Sequence, residues 1–116
     1  MKNVLVIGST GQIGSELTRE LRTCYGNENI VAGYIKGAEP TGELRDAGPC
    51  AEADVTNPQM IAEVVKKYHV DTIYNLAALL SVVAENKPQL AWKIGIDGLW
   101  NILEVARENQ CAVFTP

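Results

Sequence analysis

The chain begins with a short apolar run that breaks into three regularly spaced glycines. Residues 4–14 read Val-Leu-Val-Ile-Gly-Ser-Thr-Gly-Gln-Ile-Gly, and a stretch with helical spacing follows at once. This order predicts a strand, a tight turn and a helix N-terminus, the arrangement that binds the pyrophosphate of a dinucleotide through main-chain N–H groups. Gly8 would turn the chain sharply, Gly11 would leave room for a phosphate, and Gly14 would let the helix pack close to the strand. The spacing is GxxGxxG rather than the commoner GxGxxG, so a glycine-rich turn in an unrelated strand–helix unit is the other interpretation.

Composition limits the classes of protein to which the chain can belong. At 116 residues, with 47% hydrophobic residues, we expect residues 1–116 to form one domain or part of one. The net charge of −4, with scattered basic residues, argues against a nucleic-acid partner. No apolar run approaches the roughly 20 residues of a membrane span, and the first one is too short for a signal peptide.

Cysteine and histidine usage points to the cytoplasm and away from metal binding. The three cysteines, Cys24, Cys50 and Cys111, are far apart and lack CxxC spacing, which is typical of thiols in a reducing compartment. The single histidine, His69, lies where a helix should end, so compensation of the helix dipole is the expected role. We therefore predict no metal site.

Strand and helix patterns alternate along the chain. We predict strands at residues 3–8, 29–34, 50–55, 71–78 and 111–115, with helices at 12–25, from 58 onward and from 88 to about 109. Residues 36–49 are rich in turn formers and are predicted to be a surface loop or an irregular excursion. Such alternation implies parallel strands with right-handed crossovers, hence an α/β doubly wound, Rossmann-like sheet of order 3-2-1-4-5, incomplete at the C-terminal side.

Ligands bind beyond the carboxyl ends of such a sheet, where the strand order reverses between strands 1 and 4. Residues 8–14 and 76–81 are the two loops that would meet there. A dinucleotide is the partner that this arrangement favours.

The long helix at residues 88–109 carries more apolar residues than one buried stripe needs. They are Leu90, Trp92, Ile94, Ile96, Leu99, Trp100, Ile102, Leu103 and Val105. The excess indicates a second packing partner, and a homodimer formed through this helix is the favoured one. The alternative is that a tryptophan lies half exposed at the edge of the helix.

Several stretches together resemble one family. Gly8 to Gly14 followed by Ser15-Glu16-Leu17 is similar to the opening of the extended short-chain dehydrogenase/reductases. Leu76-Ala77-Ala78-Leu79-Leu80-Ser81, followed by Glu85, Pro88 and Ala91-Trp92, resembles the short-chain-type L-threonine 3-dehydrogenases, and the resemblance covers the whole chain. The Ala-Ala-Leu-Leu-Ser segment is the most specific part, because nucleotide-sugar epimerases of the same superfamily usually carry a histidine-bearing loop there.

The resemblance implies an oxidoreductase that transfers a hydride from the β-carbon of L-threonine to NAD, giving 2-amino-3-ketobutyrate. By position, the residues implied to hold the pyrophosphate are Gly8, Gly11, Gln12, Ile13 and Gly14. Asp54 and Val55 would flank the adenine, and the nicotinamide side would be lined by Leu76, Ala77 and Ala78. Ser81 would contact the polar end of the substrate. The alternatives are that Asp54 only caps the turn after strand 3 and that Ser81 is an ordinary loop hydroxyl.

The second strand departs from the family pattern. About twenty residues beyond the last glycine, NAD-binding proteins place an Asp or Glu that accepts the ribose hydroxyls. This chain has Tyr34 there, and Lys36 two residues later could favour a 2′-phosphate. NAD is therefore the expected cofactor, with NADP possible.

Two further departures concern catalysis. The family usually has an asparagine where this chain has Gly95, and it uses a Tyr-x-x-x-Lys pair with a Ser or Thr that orients the substrate hydroxyl. None of the four tyrosines is followed four residues later by lysine, so we identify no catalytic residue and expect these 116 residues alone to be inactive. An amino-acid substrate is expected only for a full-length form. Three hypotheses stay open: part of a threonine dehydrogenase, a relative of nucleotide-sugar epimerases or reductases, and a non-catalytic nucleotide-binding or dimerisation module.

Overall fold

A parallel sheet with helices on both faces forms the protein. The computed structural model describes residues 2–77 and 88–115, with residues 88–95 described as helical backbone only. The strands are β1 (Val4–Ile7), β2 (Ile30–Tyr34), β3 (Cys50–Glu52), β4 (Thr72–Asn75) and β5 (Ala112–Phe114). The α-helices are α1 (Gln12–Tyr25), α2 (Gly42–Asp46), α3 (Pro58–Lys67) and α4 (Pro88–Asn109). Every strand pair is parallel and the order is β3-β2-β1-β4-β5, which confirms the predicted Rossmann-like α/β class.

Strand β1 is the centre of the core. All four of its residues are buried. Because alternate side chains point to opposite faces of the sheet, they belong to two separate apolar clusters. Leu5 and Ile7 join the cluster beneath α3 and α4, while Val4 and Val6 join the one beneath α1. Each such fully buried side chain contributes about 1.5–3 kcal/mol to folding. The central strand therefore fixes the position of the turn that follows it.

Helix α3 begins as its sequence predicts. The Asn57 side chain accepts a hydrogen bond from the Met60 N–H at 3.2 Å, and Pro58 occupies the first turn, where a missing N–H costs nothing. Ile61, Val64 and Val65 form the buried face. The helix thus returns the chain across the sheet from β3 to β4.

The segment at residues 36–49 is more ordered than predicted. It contains the short helix α2, whereas the turn formers had indicated a surface loop or an irregular excursion. The reason is Arg22 of α1, which is 4% exposed. Its guanidinium donates to three carbonyl oxygens, those of Ile30 at 3.3 Å, Leu44 at 2.6 Å and Pro49 at 2.8 Å. This one side chain fastens the segment to α1 and β2.

The strands are shorter than predicted. The prediction of residues 71–78 for β4 was wrong at its end, because regular pairing stops at Asn75, although the Leu76 N–H still donates to the Ile7 carbonyl at 3.0 Å. The predicted β1 end at residue 8 was also wrong, since Gly8 has a φ of +80° and already belongs to the turn. Strand β3 likewise ends at Glu52 rather than at residue 55. The early endings leave loop backbone at the carboxyl edge of the sheet.

Within residues 2–77 and 88–115, no helix is long and apolar enough to cross a membrane.

Candidate functional site

The glycine-rich turn between β1 and α1 has an unusual backbone at its first residue. Gly8 has a φ of +80°, a value that L side chains rarely adopt, and its carbonyl accepts a hydrogen bond from the Gly11 N–H at 3.2 Å. The turn is therefore compact and returns the chain directly into α1. A side chain at position 8 would strain it.

Helix α1 starts in direct contact with this turn. A Cβ built on Gly14 would overlap the carbonyl of Gly8, with its carbon 2.9 Å away and the Cα of Ser9 3.0 Å away. Only glycine lets the helix lie this close to the end of β1. The helix N-terminus is thus held at the carboxyl edge of the sheet.

The N-terminus of α1 offers main-chain donors that no side chain caps. Gly11 is the N-cap residue and makes no side-chain cap hydrogen bond. Gly11 and Gln12 are exposed, as is Ile13 at 59%. A Cβ on Gly11 would have only the Gly8 oxygen within 4 Å, at 3.5 Å, so the space above the turn is open. Exposed N–H groups and a helix dipole suit an anionic diphosphate, so these residues fit the phosphates of a dinucleotide.

Ser9 fastens this turn to the neighbouring strand. Its N–H and its Oγ both donate to the carbonyl of Gly33, at 3.0 and 2.8 Å, and the side chain is fully buried. Tyr34, the residue predicted to replace a ribose-binding carboxylate, follows directly and lies half buried at the end of β2. The sequence analysis missed Ser9, and the signal that could have found it is a polar residue between two glycines of the motif.

The loop after β4 meets the glycine turn, as the topology predicted. A Cβ on Gly8 would lie 3.1 Å from the carbonyl carbon of Leu76 and 3.2 Å from the amide nitrogen of Ala77. Both residues are half buried. Ala78 and Ser81, predicted to line the nicotinamide side and to contact the substrate, lie outside the described residues. The two loops therefore come together where the strand order reverses.

The turn after β3 places the remaining two predicted residues at the same edge of the sheet. Asp54 Oδ1 accepts hydrogen bonds from the Thr56 N–H at 2.9 Å and the Thr56 Oγ1 at 2.8 Å. Asp54 therefore does cap the turn, which was the alternative role, and its second carboxylate oxygen has no hydrogen bond within the described part of the chain. Val55 is 7% exposed. Among residues 2–77 and 88–115, no cluster of His, Cys, Asp and Glu could hold a metal ion.

Similar proteins were found by sequence. An uncharacterised epimerase/dehydratase of Staphylococcus saprophyticus is 43% identical over all 116 residues, and one from Staphylococcus aureus is 39% identical. The chain spans only 36% of the length of each of these curated relatives. The sequence therefore corresponds to about a third of such a protein.

Solved structures similar to this chain also match it over about a third of their own length. The L-threonine dehydrogenase of Clostridium difficile is 47% identical with a TM-score of 0.87, and the match covers this whole chain but 36% of that one. A GalE-like L-threonine dehydrogenase of Cupriavidus necator is 34% identical, with a TM-score of 0.84 over 97% of this chain and 35% of its own. A UDP-glucose 4-epimerase of Thermus thermophilus in complex with NAD is 21% identical with a TM-score of 0.78, over 93% of this chain and 34% of its own, and shares the fold.

The sequence model of one family, described as the NAD dependent epimerase/dehydratase family, matches residues 4–115. That range runs from the first residue of β1 to the residue after β5, and so includes the glycine turn and the start of the loop after β4 that meets it. The chain therefore belongs to the NAD-dependent epimerase/dehydratase family.

Proposed function

We propose that the chain is the NAD-binding portion of a dehydrogenase that oxidises L-threonine to 2-amino-3-ketobutyrate. The observation that carries the proposal is the uncapped N-terminus of α1, exposed above a turn whose Gly8 and Gly14 leave no room for side chains. The bound dinucleotide would supply the chemistry of the reaction by accepting a hydride. The residues of this chain would bind and orient it.

Three parts of the site have separate roles in this proposal. The N–H groups of Gln12, Ile13 and Gly14 would donate to the diphosphate, since the first N–H groups of a helix lack intrahelical partners. Asp54 and Val55 would contact the adenine side, and Leu76, Ala77 and Ala78 would line the nicotinamide side. Small residues and free main-chain donors are suited to a cofactor that lies close to the strand ends.

The substrate is inferred from likeness rather than from contacts. The structures similar to this chain at 47% and 34% identity are L-threonine dehydrogenases, whereas the UDP-glucose 4-epimerase at 21% identity supports the fold alone. Threonine is therefore favoured over a nucleotide sugar. Ser81 remains the predicted contact for the polar end of the amino acid. Because the chain spans 36% of its relatives, the acid–base groups of the reaction would come from the rest of such a protein.

The nucleotide specificity depends on Tyr34. A phenol offers one oxygen to the ribose where Asp or Glu would offer two, and Lys36 is close enough in sequence to favour a 2′-phosphate. We propose NAD as the cofactor, with NADP as the competing ligand.

The three cysteines are free thiols, which agrees with a cytoplasmic location.

A homodimer formed through α4 is part of the proposal. Ile96, Trp100 and Leu103 recur at helical spacing and are exposed, with Trp100 at 65%. Ile102 and Val105 on the same helix are buried in the core. The helix thus has one face on the sheet and a second apolar face in solvent, which a second subunit would cover.

Titration calorimetry with NAD and with NADP tests the proposal directly. Saturable binding of NAD below millimolar concentration is expected, and the absence of saturation by either nucleotide would disprove the cofactor site. Threonine-dependent formation of NADH by this chain alone should be undetectable. Turnover would show that a residue within these 116 acts as the general base of the reaction. Binding without turnover by a longer, complete protein would instead favour a non-catalytic nucleotide-binding module.

A further inference from the structure

A polar cavity of about 260 Å³ lies between helices α1 and α2. Its lining comes from one side of α1, from Asn27 just after that helix, and from the segment at residues 41–47. Residues 8–14 and the carboxyl ends of the strands do not line it. The cavity is therefore separate from the candidate nucleotide site.

The buried guanidinium of Arg22 borders this cavity. Arg22 is 4% exposed, and it forms no ion pair with a carboxylate of residues 2–77 or 88–115. Each of its nitrogens donates one N–H to a carbonyl oxygen, which leaves a further N–H on each terminal nitrogen without a partner among the described residues. Buried charges are normally paired, so an anion is expected beside this group.

The position of that guanidinium is fixed by backbone. A Cβ built on Gly48 would lie 2.8 Å from Nε and 3.0 Å from Cζ of Arg22, so the guanidinium packs directly on the Gly48 backbone. The carbonyl oxygens of Leu44 and Pro49 hold its two ends at 2.6 and 2.8 Å. An anion that binds here meets a donor whose side-chain freedom is already lost, which favours binding.

A second arginine lines the same cavity. Arg19 precedes Arg22 by three residues and therefore lies on the same face of α1. It is exposed, and its guanidinium makes no hydrogen bond or ion pair within the part of the chain that the structure describes. Like charges at this spacing repel each other, and an anion between them would remove the repulsion.

The remaining polar groups of the lining also favour an anion. Thr41 is the N-cap residue of α2 but its side chain makes no capping hydrogen bond, so its hydroxyl can donate to a ligand. Asn27 adds a side-chain amide. Glu43 supplies a negative charge to the lining, against the positive charges of Arg19 and Arg22. Donors and positive charge thus predominate.

We propose that this cavity binds a phosphate group, either as the free ion or as a small phosphate monoester. One guanidinium is enough to match the two oxygens of a carboxylate, whereas the additional oxygens of a phosphate can accept from both arginines at once. The bound phosphate would join α1 to α2. The site goes beyond the proposed function, because it requires no dinucleotide.

Titration of the wild-type chain with inorganic phosphate tests the site. In ¹H–¹⁵N spectra recorded in chloride buffer at constant ionic strength, the Nε–H signals of Arg19 and Arg22 should shift saturably. Hydrogen exchange of the α2 amides should slow at the same time. Shifts confined to the amides of residues 11–14 would mean that phosphate binds only at the glycine turn, and would overturn the inference.

Arg19→Met is the decisive variant, since this side chain is exposed and the fold does not depend on it. The affinity for phosphate should fall about tenfold. Arg45→Met is the matched control, because it removes the same charge from an exposed arginine of α2 that does not line the cavity. Its affinity should stay within about twofold of the wild type. Equal weakening by both variants would reveal general attraction to positive charge and would overturn the inference.

Glu43→Gln tests the sign of the charge in the cavity. Removing the carboxylate should strengthen phosphate binding by about twofold or more, because like charges no longer face each other. Weaker binding in this variant would contradict an anionic ligand.

Glycerol 3-phosphate and acetate distinguish the ligands. Tighter binding of glycerol 3-phosphate than of inorganic phosphate would identify a monoester as the ligand, and the reverse order would identify the free ion. Acetate that binds as tightly as phosphate would overturn the choice of phosphate.

A chain saturated with NAD should still bind phosphate at Arg22. Competition between the two ligands for the Arg22 signal would make the cavity part of the nucleotide site and would overturn the inference. A chain that binds phosphate at Arg22 but neither dinucleotide would instead disprove the proposed function and support the separate phosphate site.

Discussion

The Cα of Gly14 lies so close to the carbonyl of Gly8 that a methyl group on it would overlap that carbonyl, whereas a methyl group on Gly11 would stay 3.5 Å from the same oxygen. Gly11 also has φ and ψ of −71° and 170°, which any residue can adopt. One glycine is thus required by the fold, and the other leaves space that the fold does not use.

Gly14→Ala should therefore reduce both stability and nucleotide binding. Overlap with backbone has no flexible side chain to relieve it, so a loss of about 1–3 kcal/mol in the free energy of unfolding is expected, measured by urea denaturation. Gly11→Ala should leave stability within about 0.5 kcal/mol of the wild type and still weaken NAD binding. Wild-type NAD affinity in Gly11→Ala would show that no phosphate occupies the space above the turn.

Tyr34→Asp should raise affinity for NAD relative to NADP. A carboxylate at the end of β2 can accept two ribose hydroxyls, and hydrogen bonds to a charged acceptor contribute about 1.5–3 kcal/mol. The ratio of the two dissociation constants, measured by calorimetry, should change about tenfold or more in favour of NAD. Tyr34→Phe serves as the control, and its ratio should stay close to that of the wild type. An unchanged ratio of dissociation constants in Tyr34→Asp would show that the ribose does not contact position 34.

Asp71 should make stability depend on pH in the acidic range. Partial burial alone would raise the pKa of this carboxyl, but hydrogen bonds from the Thr72 hydroxyl and the N–H groups of Asn3 and Lys2 outweigh burial and lower it. A carboxyl whose folded pKa is lowered stabilises the fold above its unfolded pKa and loses that contribution as the pH falls through the folded value. Asp71→Asn should cost about 1 kcal/mol at neutral pH, and this difference should shrink as the pH falls below the ordinary pKa of an aspartate, because the lowered pKa of Asp71 is then being crossed.

The control for this pH dependence is Asp46→Asn. Asp46 forms an exposed ion pair with Arg45 at 2.9 Å, and such pairs contribute little to stability. Urea denaturation at neutral and acidic pH should give nearly the same unfolding free energies as the wild type. A constant difference between Asp71→Asn and the wild type at every pH would mean that the charge of Asp71 is not involved.

Arg22→Met should loosen residues 36–49. The substitution keeps an apolar stem but removes the side-chain donors for the carbonyl oxygens of Leu44 and Pro49. The Pro49 oxygen still accepts from the Ala32 N–H at 2.9 Å, whereas the Leu44 oxygen loses its N–H donor, which costs about 1–3 kcal/mol. Hydrogen exchange of the backbone between residues 36 and 49 should accelerate. Arg19→Met, on the exposed side of the same helix, is the matched control and should exchange as the wild type does.

Trp100→Glu should produce a monomer if α4 forms the dimer interface. A carboxylate in the centre of an apolar contact must be desolvated without a partner, which is unfavourable. Sedimentation at a series of concentrations should show the wild-type chain as a dimer and the variant as a monomer. Ile35→Glu, at an exposed apolar position away from α4, should leave the dimer intact. A wild-type chain that is monomeric at all concentrations would remove the proposed interface.

Local patterns predicted most of this architecture because strands and helices have distinct periods. Helix α1 and the cap at Asn57 follow from short-range rules of spacing and capping. Helix α2 was missed since Gly42, its first residue, and the nearby turn formers obscure a helix that the distant Arg22 stabilises. Long-range partners of this kind leave no local signal.

The candidate functional site was also predicted only in part from the sequence. The glycine turn and its meeting with the loop after β4 follow from motif and topology. The contact of α4 with Val55 does not, although a glycine at position 98 inside an apolar helix is a sign of close backbone approach. On the same helix, the Nδ2 of Asn101 donates to the Val55 carbonyl at 2.9 Å across 46 positions of sequence, and no spacing rule reaches that far.

Among the residues that the structure describes, strand β5 pairs with β4 alone, and Phe114 at its end is 50% exposed. An open strand flank with an aromatic side chain is a template on which further polypeptide can add. At concentrations well above those at which the dimer is measured, the isolated chain should therefore form larger aggregates through this flank. Light scattering should increase with time for the wild-type chain. If Phe114→Asp suppresses this increase, the open flank of β5 is the source of the aggregates.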